Sequence, residues 1–170
     1  MKKTTLYILS GLPGVGKSKL AKLLAAKINA TFLRIDTIEQ GLRDLCNLTV
    51  EGEGYRLAYR IASDNLLAGN NVIADSCNPI ELTREEWNQV AKNSQANYVN
   101  IQVICSDQAD HRARIENRIS EIPNLKLPNW QQIQNREYHD WSADRIIIDT
   151  AGKSANKSFA ELVKLLNLED

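Results

Sequence analysis

"ILSGLPGVGKSKLAKLLAAKI" (residues 8–28) runs three kinds of sequence together without a break. Apolar residues lead to Ser10, glycines recur at 11, 14 and 16, and Lys17-Ser18 opens a run with Leu20, Leu23, Leu24 and Ile28 on one helical face. Residues 11–18 satisfy every fixed position of G-x-x-x-x-G-K-[ST]. Such glycines let the backbone curl until several N–H groups point into one cavity, and a helix starting near Lys17 adds its positive dipole end. Lys17 then reaches the β- and γ-phosphates of a nucleoside triphosphate, and the Ser18 hydroxyl can ligate Mg²⁺. The strand before the motif and the helix after it are the context it needs. The expected nucleotide contacts are Gly11, Leu12, Pro13, Gly14, Val15 and Gly16 of the turn, followed by Lys17, Ser18 and Lys19, with ATP and Mg²⁺ as cofactors. Lys17→Ala is expected to abolish turnover and leave the fold intact.

The rest of the chain alternates strand and helix signals. Strands are predicted over residues 4–10, 30–36, 71–75, 98–105 and 144–149. Between them lie a helix with Ile38, Leu42 and Leu45 at helical spacing and another that stops at Gly69. A third carries Trp87, Val90 and Ala91, with a capping box from Thr83 and Glu86. A fourth opens at Asp107 and runs to about Ser120, and residues 129–141 are predicted helical with Pro128 in the first turn. The tail from Ser158 forms the last helix. Five short strands separated by helices predict an α/β fold, a parallel sheet covered on both faces, in one domain spanning residues 1–170.

The totals exclude several classes. Lys plus Arg equals Asp plus Glu at 21 each, so no global field favours nucleic acid or an anionic membrane. Residues 1–14 imitate a signal peptide, but the apolar run covers only Leu6 to Leu9 and no small-residue cleavage site follows. No segment has the length of a membrane span, and a cytoplasmic protein is expected. Cys46, Cys77 and Cys105 are widely spaced without a CxxC pair and read as buried reduced thiols. His111 and His139 have no metal-ligand spacing, and Trp87, Trp130 and Trp141 read as packing residues rather than base-stacking platforms.

Asp36 and Asp75 each end a predicted strand. In an open parallel sheet those ends line the ligand crevice. Asp75 reads as a carboxylate holding Mg²⁺ with Ser18, and Asp36 as the acceptor of a proton from an attacking hydroxyl; either could instead cap a helix. Arg114 and Arg118, four apart, share a helix face with Arg112 nearby. Guanidinium donors of this kind stabilise charge on a transferred phosphoryl group, and the proline-bounded EIPNLKLP (residues 121–128) suits a segment that closes over it. The alternative is a solvated basic face paired with Glu116. Asp149-Thr-Ala-Gly152 imitates a GTPase switch, but residues 156–159 lack the aspartate that selects guanine. The Thr150–Lys153 loop, with Thr150 and Gly152 as contacts, is therefore expected beside the base of ATP. Gly152-Lys153-Ser154 lacks the upstream glycine of a second phosphate loop.

With GLPGVGKS, LRIDTIEQGLRD, VIADSCNP, VICSDQADHRARIENR, IPNLKLPNW, REYHDW and IIIDTAG in this order, the chain resembles small P-loop kinases of the AAA_33 type. These are related to polynucleotide kinase, chloramphenicol phosphotransferase, gluconate kinase and zeta toxins. The resemblance implies a P-loop NTPase three-layer sandwich with sheet order 2-3-1-4-5 and a helical lid. It also implies that Asp36 activates the acceptor hydroxyl, that Arg114 and Arg118 form the R-x-x-x-R of the lid, and that Arg136 contacts lid or substrate. The function so implied is transfer of the γ-phosphate of Mg-ATP to a hydroxyl of a small-molecule acceptor, with Lys17, Asp36, Arg114 and Arg118 catalytic. The alternatives are a nucleotide switch or slow ATPase, a polynucleotide 5′-kinase, which the absence of a basic tail disfavours, and a zeta-toxin-like kinase.

Overall fold

A computed structural model describes residues 3–169. The first strand, β1 (Thr5–Ser10), lies at the centre of a five-stranded sheet with β2 (Thr31–Arg34), β3 (Val72–Asp75), β4 (Asn97–Ile104) and β5 (Ile146–Asp149). Every pairing is parallel, and the order is β2-β3-β1-β4-β5, as the resemblance implied. Leu9 and Arg34 are both in register with Asp75, which brings the carboxyl ends of β1, β2 and β3 to one edge.

Side chains alternate across the pleat, so β1 serves both faces. Leu6 and Ile8 join Val72 and Ala74 against Ala58 and Ala62 of α3 (Glu53–Leu67) and Trp87 and Ala91 of α4 (Glu81–Asn93). Leu9, Ile73, Ile101, Val103 and Ile148 face the other way, onto α1 (Lys17–Ile28) and α7 (Ala155–Leu165). Strands buried on both sides need near-continuous apolar runs, which is the composition of VIAD, whereas the edge strand IIID leaves Ile147 exposed. Trp87 is 0% exposed, stands edge-on to Tyr59 at 4.7 Å between ring centres, and donates from Nε1 to Asn78 Oδ1 at 3.2 Å.

Several local expectations change. The second strand stops at Arg34, and Asp36 lies in the first turn of α2 (Ile35–Cys46) rather than at a strand end. Leu45 is 85% exposed, so the apolar face of α2 ends before it. Helix α4 starts at Glu81 behind Ile80; Thr83 Oγ1 donates back to the Ile80 carbonyl and Glu86 accepts from Tyr59, so no capping box forms there. Asp107 does cap α5 (Gln108–Glu116), accepting from the Ala109 and Asp110 N–H groups, but that helix ends four residues before Ser120. The last helix begins at Ala155, capped by Ser154, ahead of the expected start.

The region after Pro128 departs most. Helix α6 covers only Trp130–Gln134, with Asn129 and Gln132 forming a capping box and Pro128 outside the first turn. Residues 138–141 are drawn off by Arg84, which is buried in α4. Its guanidinium donates to the carbonyls of Asn78, Pro79, His139 and Asp140, and stacks 4.2 Å from the Trp141 ring centre and 5.0 Å from that of Tyr138. A charge-assisted donor of this capacity outcompetes the weak helical pattern of REYHDW. The cysteines also differ: Cys46 is exposed and Cys77 and Cys105 are half-buried, all three unpaired. Among the described residues no helix is long and apolar enough to cross a membrane.

Trp87 gives this packing a direct test. Trp87→Ala should lower unfolding free energy by about 3–5 kcal/mol, the usual cost of truncating a buried aromatic, read as the midpoint shift in urea denaturation.

Candidate active site

At the end of β1 the chain turns through Gly11 and Gly14, both with positive φ. Neither place has room for a side chain. A Cβ on Gly11 would stand 2.3 Å from the Val103 carbonyl oxygen, and one on Gly14 would stand 2.4 Å from Ile115 Cδ1. The Gly11 N–H donates to the Cys77 carbonyl at 3.1 Å, tying the loop to the end of β3. Below it, Asn78 Nδ2 donates to Ser10 Oγ, and Asn78 Oδ1 accepts from Ser76 and Trp87. No side chain caps the start of α1 at Gly16, so its first N–H groups are left for a ligand.

Lys17 is only 8% exposed, and its Nζ lies 3.3 Å from Asp75 Oδ1. Arg34 Nε approaches Asp75 Oδ2 at 3.8 Å from the other side. Burial pushes the Lys17 ammonium towards neutrality, but the charges of Asp75, Cys77 and Asp36 overcome it and the pKa rises. Neither Asp75 oxygen nor Arg34 Nε has a well-directed hydrogen bond, although all three atoms are buried. Asp75 thus lies beneath Lys17, not on the cleft wall, and holds unused acceptor capacity.

A cleft of about 1000 Å³ opens above these groups. One end is formed by Pro13, Gly14, Gly16, Lys17, Ser18 and Lys19. The other wall carries Asp36, Glu39, Gln40 and Arg43 of α2, together with Cys77. Burial raises the Glu39 carboxyl above its ordinary range, with Arg43 opposing the shift, and burial likewise raises the Cys77 thiol. Over the top pass Arg118, Lys126 and Arg136. Glu121 fastens this covering segment by ion pairs to Lys22 and, at 3.2 Å, to Arg34.

Not every expected nucleotide contact lines the cleft. Val15 is in the core, Leu12 packs against it, and Thr150 is buried. Thr150 Oγ1 donates to the Val15 carbonyl at 2.8 Å and accepts from Arg114 at 2.8 Å. Arg114 also donates to the Thr150 carbonyl and, through two nitrogens, to Asp110. The Gly152 N–H and the Arg114 guanidinium hold the Asp110 carboxyl below its usual range. Arg114 is therefore committed to bracing the phosphate loop against the β5 end, while Arg118, one turn on, has no side-chain hydrogen bond or ion pair among the described residues. Arg112 is the solvated member, paired with Glu116.

Sequence reasoning missed three contributors. His111 is buried, bonds through Nε2 to the Pro13 carbonyl at 2.8 Å and meets Trp130 edge-on. Arg34 and Glu39 were passed over because a short strand and an amphipathic helix explain them equally well. The signal for Arg34 was its place two residues before Asp36 at a strand end.

A phosphate loop after the central strand, in a parallel sheet of this order, defines the fold of small P-loop kinases. The AAA_33 family model, described as an AAA domain, matches residues 6–136, and the chain belongs to that family. Solved structures of the same fold include the APS kinase CysC of Mycobacterium tuberculosis in complex with AMPPNP and APS. That structure has a TM-score of 0.72 and 17% identity over 98% of this chain and 99% of that one. A gluconokinase from Sinorhizobium meliloti has a TM-score of 0.64 and 12% identity, covering 99% and 98%. Kti12 of Chaetomium thermophilum, in complex with ADP-AlF3, has a TM-score of 0.66 and 20% identity, covering 94% and 97%.

The buried pair revises the expectation for Lys17. Removing the lysine strands Asp75, so Lys17→Met should cost about 3–5 kcal/mol of stability as well as nucleotide affinity. Lys17→Met with Asp75→Asn should recover most of that stability without recovering affinity, measured by denaturation and by titration with AMPPNP.

Proposed function

We propose that this protein transfers the γ-phosphate of Mg-ATP to a hydroxyl group of a small-molecule acceptor. The observation that carries this reading is a cleft that extends well past the phosphate loop. About 1000 Å³ is at the top of the range for small-ligand sites, and the phosphate loop lines only part of it. A switch or a slow ATPase has no use for the remainder, with the carboxylates of Asp36 and Glu39 from α2.

In this reading the phosphate loop and Lys17 hold the triphosphate, and Arg118 supplies a guanidinium as charge builds on the phosphoryl group. Arg114 acts at one remove, keeping Thr150 and the loop in place. Ser18 and the buried, underused oxygens of Asp75 suit a Mg²⁺ ion or its water shell, whose charge would offset that of the phosphates. Asp36 aligns the acceptor hydroxyl and takes its proton late, since a loose transition state needs little from a strong base early. Its position in the first turn of α2 fixes the carboxylate on the wall across from the loop.

Asp36→Asn keeps the shape and removes the proton acceptor. AMPPNP affinity should stay near that of the parent, while acceptor phosphorylation falls roughly 10²- to 10⁴-fold, the scale of a general base. The acceptor for this assay comes from a screen for acceptor-dependent ADP release. Unchanged turnover in Asp36→Asn, with a loss in Glu39→Gln, would hand the base role to Glu39. ADP release that no acceptor accelerates would sink the kinase reading.

The two arginines should separate cleanly. Arg118→Ala should lower turnover about 10²-fold with little change in AMPPNP affinity. Arg114→Ala should weaken AMPPNP binding and lower the thermal midpoint, because the loop loses its brace.

A further inference from the structure

The cleft carries an excess of positive charge, and not all of it faces the phosphate loop. Nine of its lining side chains are Lys or Arg and three are Asp or Glu, in a chain whose total charge balances. Counting Asp75 under Lys17 and Asp110 beside Arg114 as well still leaves four cations in excess. Part of that excess faces the phosphate loop, through Lys19 and Arg118.

The remainder stands elsewhere. Strand β2 lies two places from β1, so α2 builds the wall away from the loop. There Arg43 leans on Glu39 at 3.4 Å, and Lys126 and Arg136 line the same cleft from the covering segment. Among the described residues neither Lys126 nor Arg136 has an ion pair or side-chain hydrogen bond. Arg136 is near enough to Glu39 and Cys77 for its charge to oppose the rise that burial imposes on both pKa values, which sets it over the α2 wall. The neutral donors nearby are engaged: Gln40 and Asn124 both donate to Asp44, and Gln132 closes the α6 capping box. Asp36 and Glu39 stand on this wall as well, but Glu39 is already shared with Arg43, so Lys126 and Arg136 retain charge that an anion would relieve. A guanidinium fork matches the paired oxygens of phosphate, sulfate or carboxylate.

We infer that the acceptor is itself an anion, a hydroxylated small molecule whose phosphate, sulfate or carboxylate group is held by Arg136 with Arg43 and Lys126. The hydroxyl end of this inference rests on the kinase reading; the anion subsite rests on the cleft's own charges. Held at that wall, the acceptor's charged group is anchored away from the loop and its hydroxyl is left to Asp36.

The test fills the nucleotide end first. Protein saturated with AMPPNP and Mg²⁺ is titrated calorimetrically with inorganic phosphate, sulfate and acetate in turn. One anion per chain should still bind, and the tightest of the three names the acceptor's charged group. Arg136→Gln should weaken that binding about tenfold or more, the scale of a lost charge-assisted pair. Arg112→Gln, on the outer face of α5, should leave it unchanged. Anion binding that vanishes when AMPPNP is present, or that survives Arg136→Gln intact, overturns the subsite while leaving the kinase reading in place. If AMPPNP fails to bind yet phosphate binds in an Arg136-dependent way, the subsite stands and the kinase reading falls.

Discussion

A lysine ammonium buried beside a single carboxylate is the constraint around which this molecule is arranged. Lys17 could not stay charged at 8% exposure without Asp75, and Asp75 could not be buried without Lys17 and Arg34. All three sit at strand ends or one residue inside a helix, so their meeting depends on the parallel register that sets Leu9 and Arg34 both opposite Asp75. A slip of one residue between β1 and β3 would turn Asp75 to the opposite face of the sheet. The apolar packing of Trp87 and Ile8 on one face and of Leu24 and Ile148 on the other is what prevents that slip. Core and chemistry are thereby one problem with one solution.

The phosphate loop is braced from outside as well as from below. Helix α5 meets it at three points: His111 at the Pro13 carbonyl, Ile115 against Gly14, and Arg114 through Thr150 to the Val15 carbonyl. Each contact alone is modest, but together they let the loop's N–H groups converge on a ligand without collapsing onto neighbouring carbonyls. The same helix continues towards Arg118 and the covering segment.

The five strands, the phosphate loop and the two-faced core were legible because apolar runs of four to six residues and a glycine-spaced motif have few other physical explanations, whereas the strand order came from the family resemblance. The helix boundaries were less so. Asp36 ends an apolar run in the sequence, yet Ile35 already has the helix's geometry, because the edge strand loses its pairing beyond Arg34. Residues 138–141 were read as helical since nothing local reveals that Arg84, more than fifty positions earlier, offers donors for their carbonyls. Among the residues that line the cleft, Lys17, Ser18 and Asp36 were picked out by motif and by place. Arg34, Glu39 and His111 were not, because their partners come from distant parts of the chain. The division of labour between Arg114 and Arg118 is likewise invisible to spacing, which gives them one face; only Thr150 and Asp110 distinguish them.

Glu121 holds the covering segment across the cleft through Lys22 and Arg34, and the carboxylate itself is mostly exposed. Exposed ion pairs are worth at most about 1 kcal/mol and fade as ions screen them. The segment over this cleft is thus held by a latch whose strength belongs to the solvent as much as to the protein. Arg34 touches that latch with one nitrogen and the buried Asp75 with another, so the hold on the covering segment and the charge balance under the phosphate loop share one side chain.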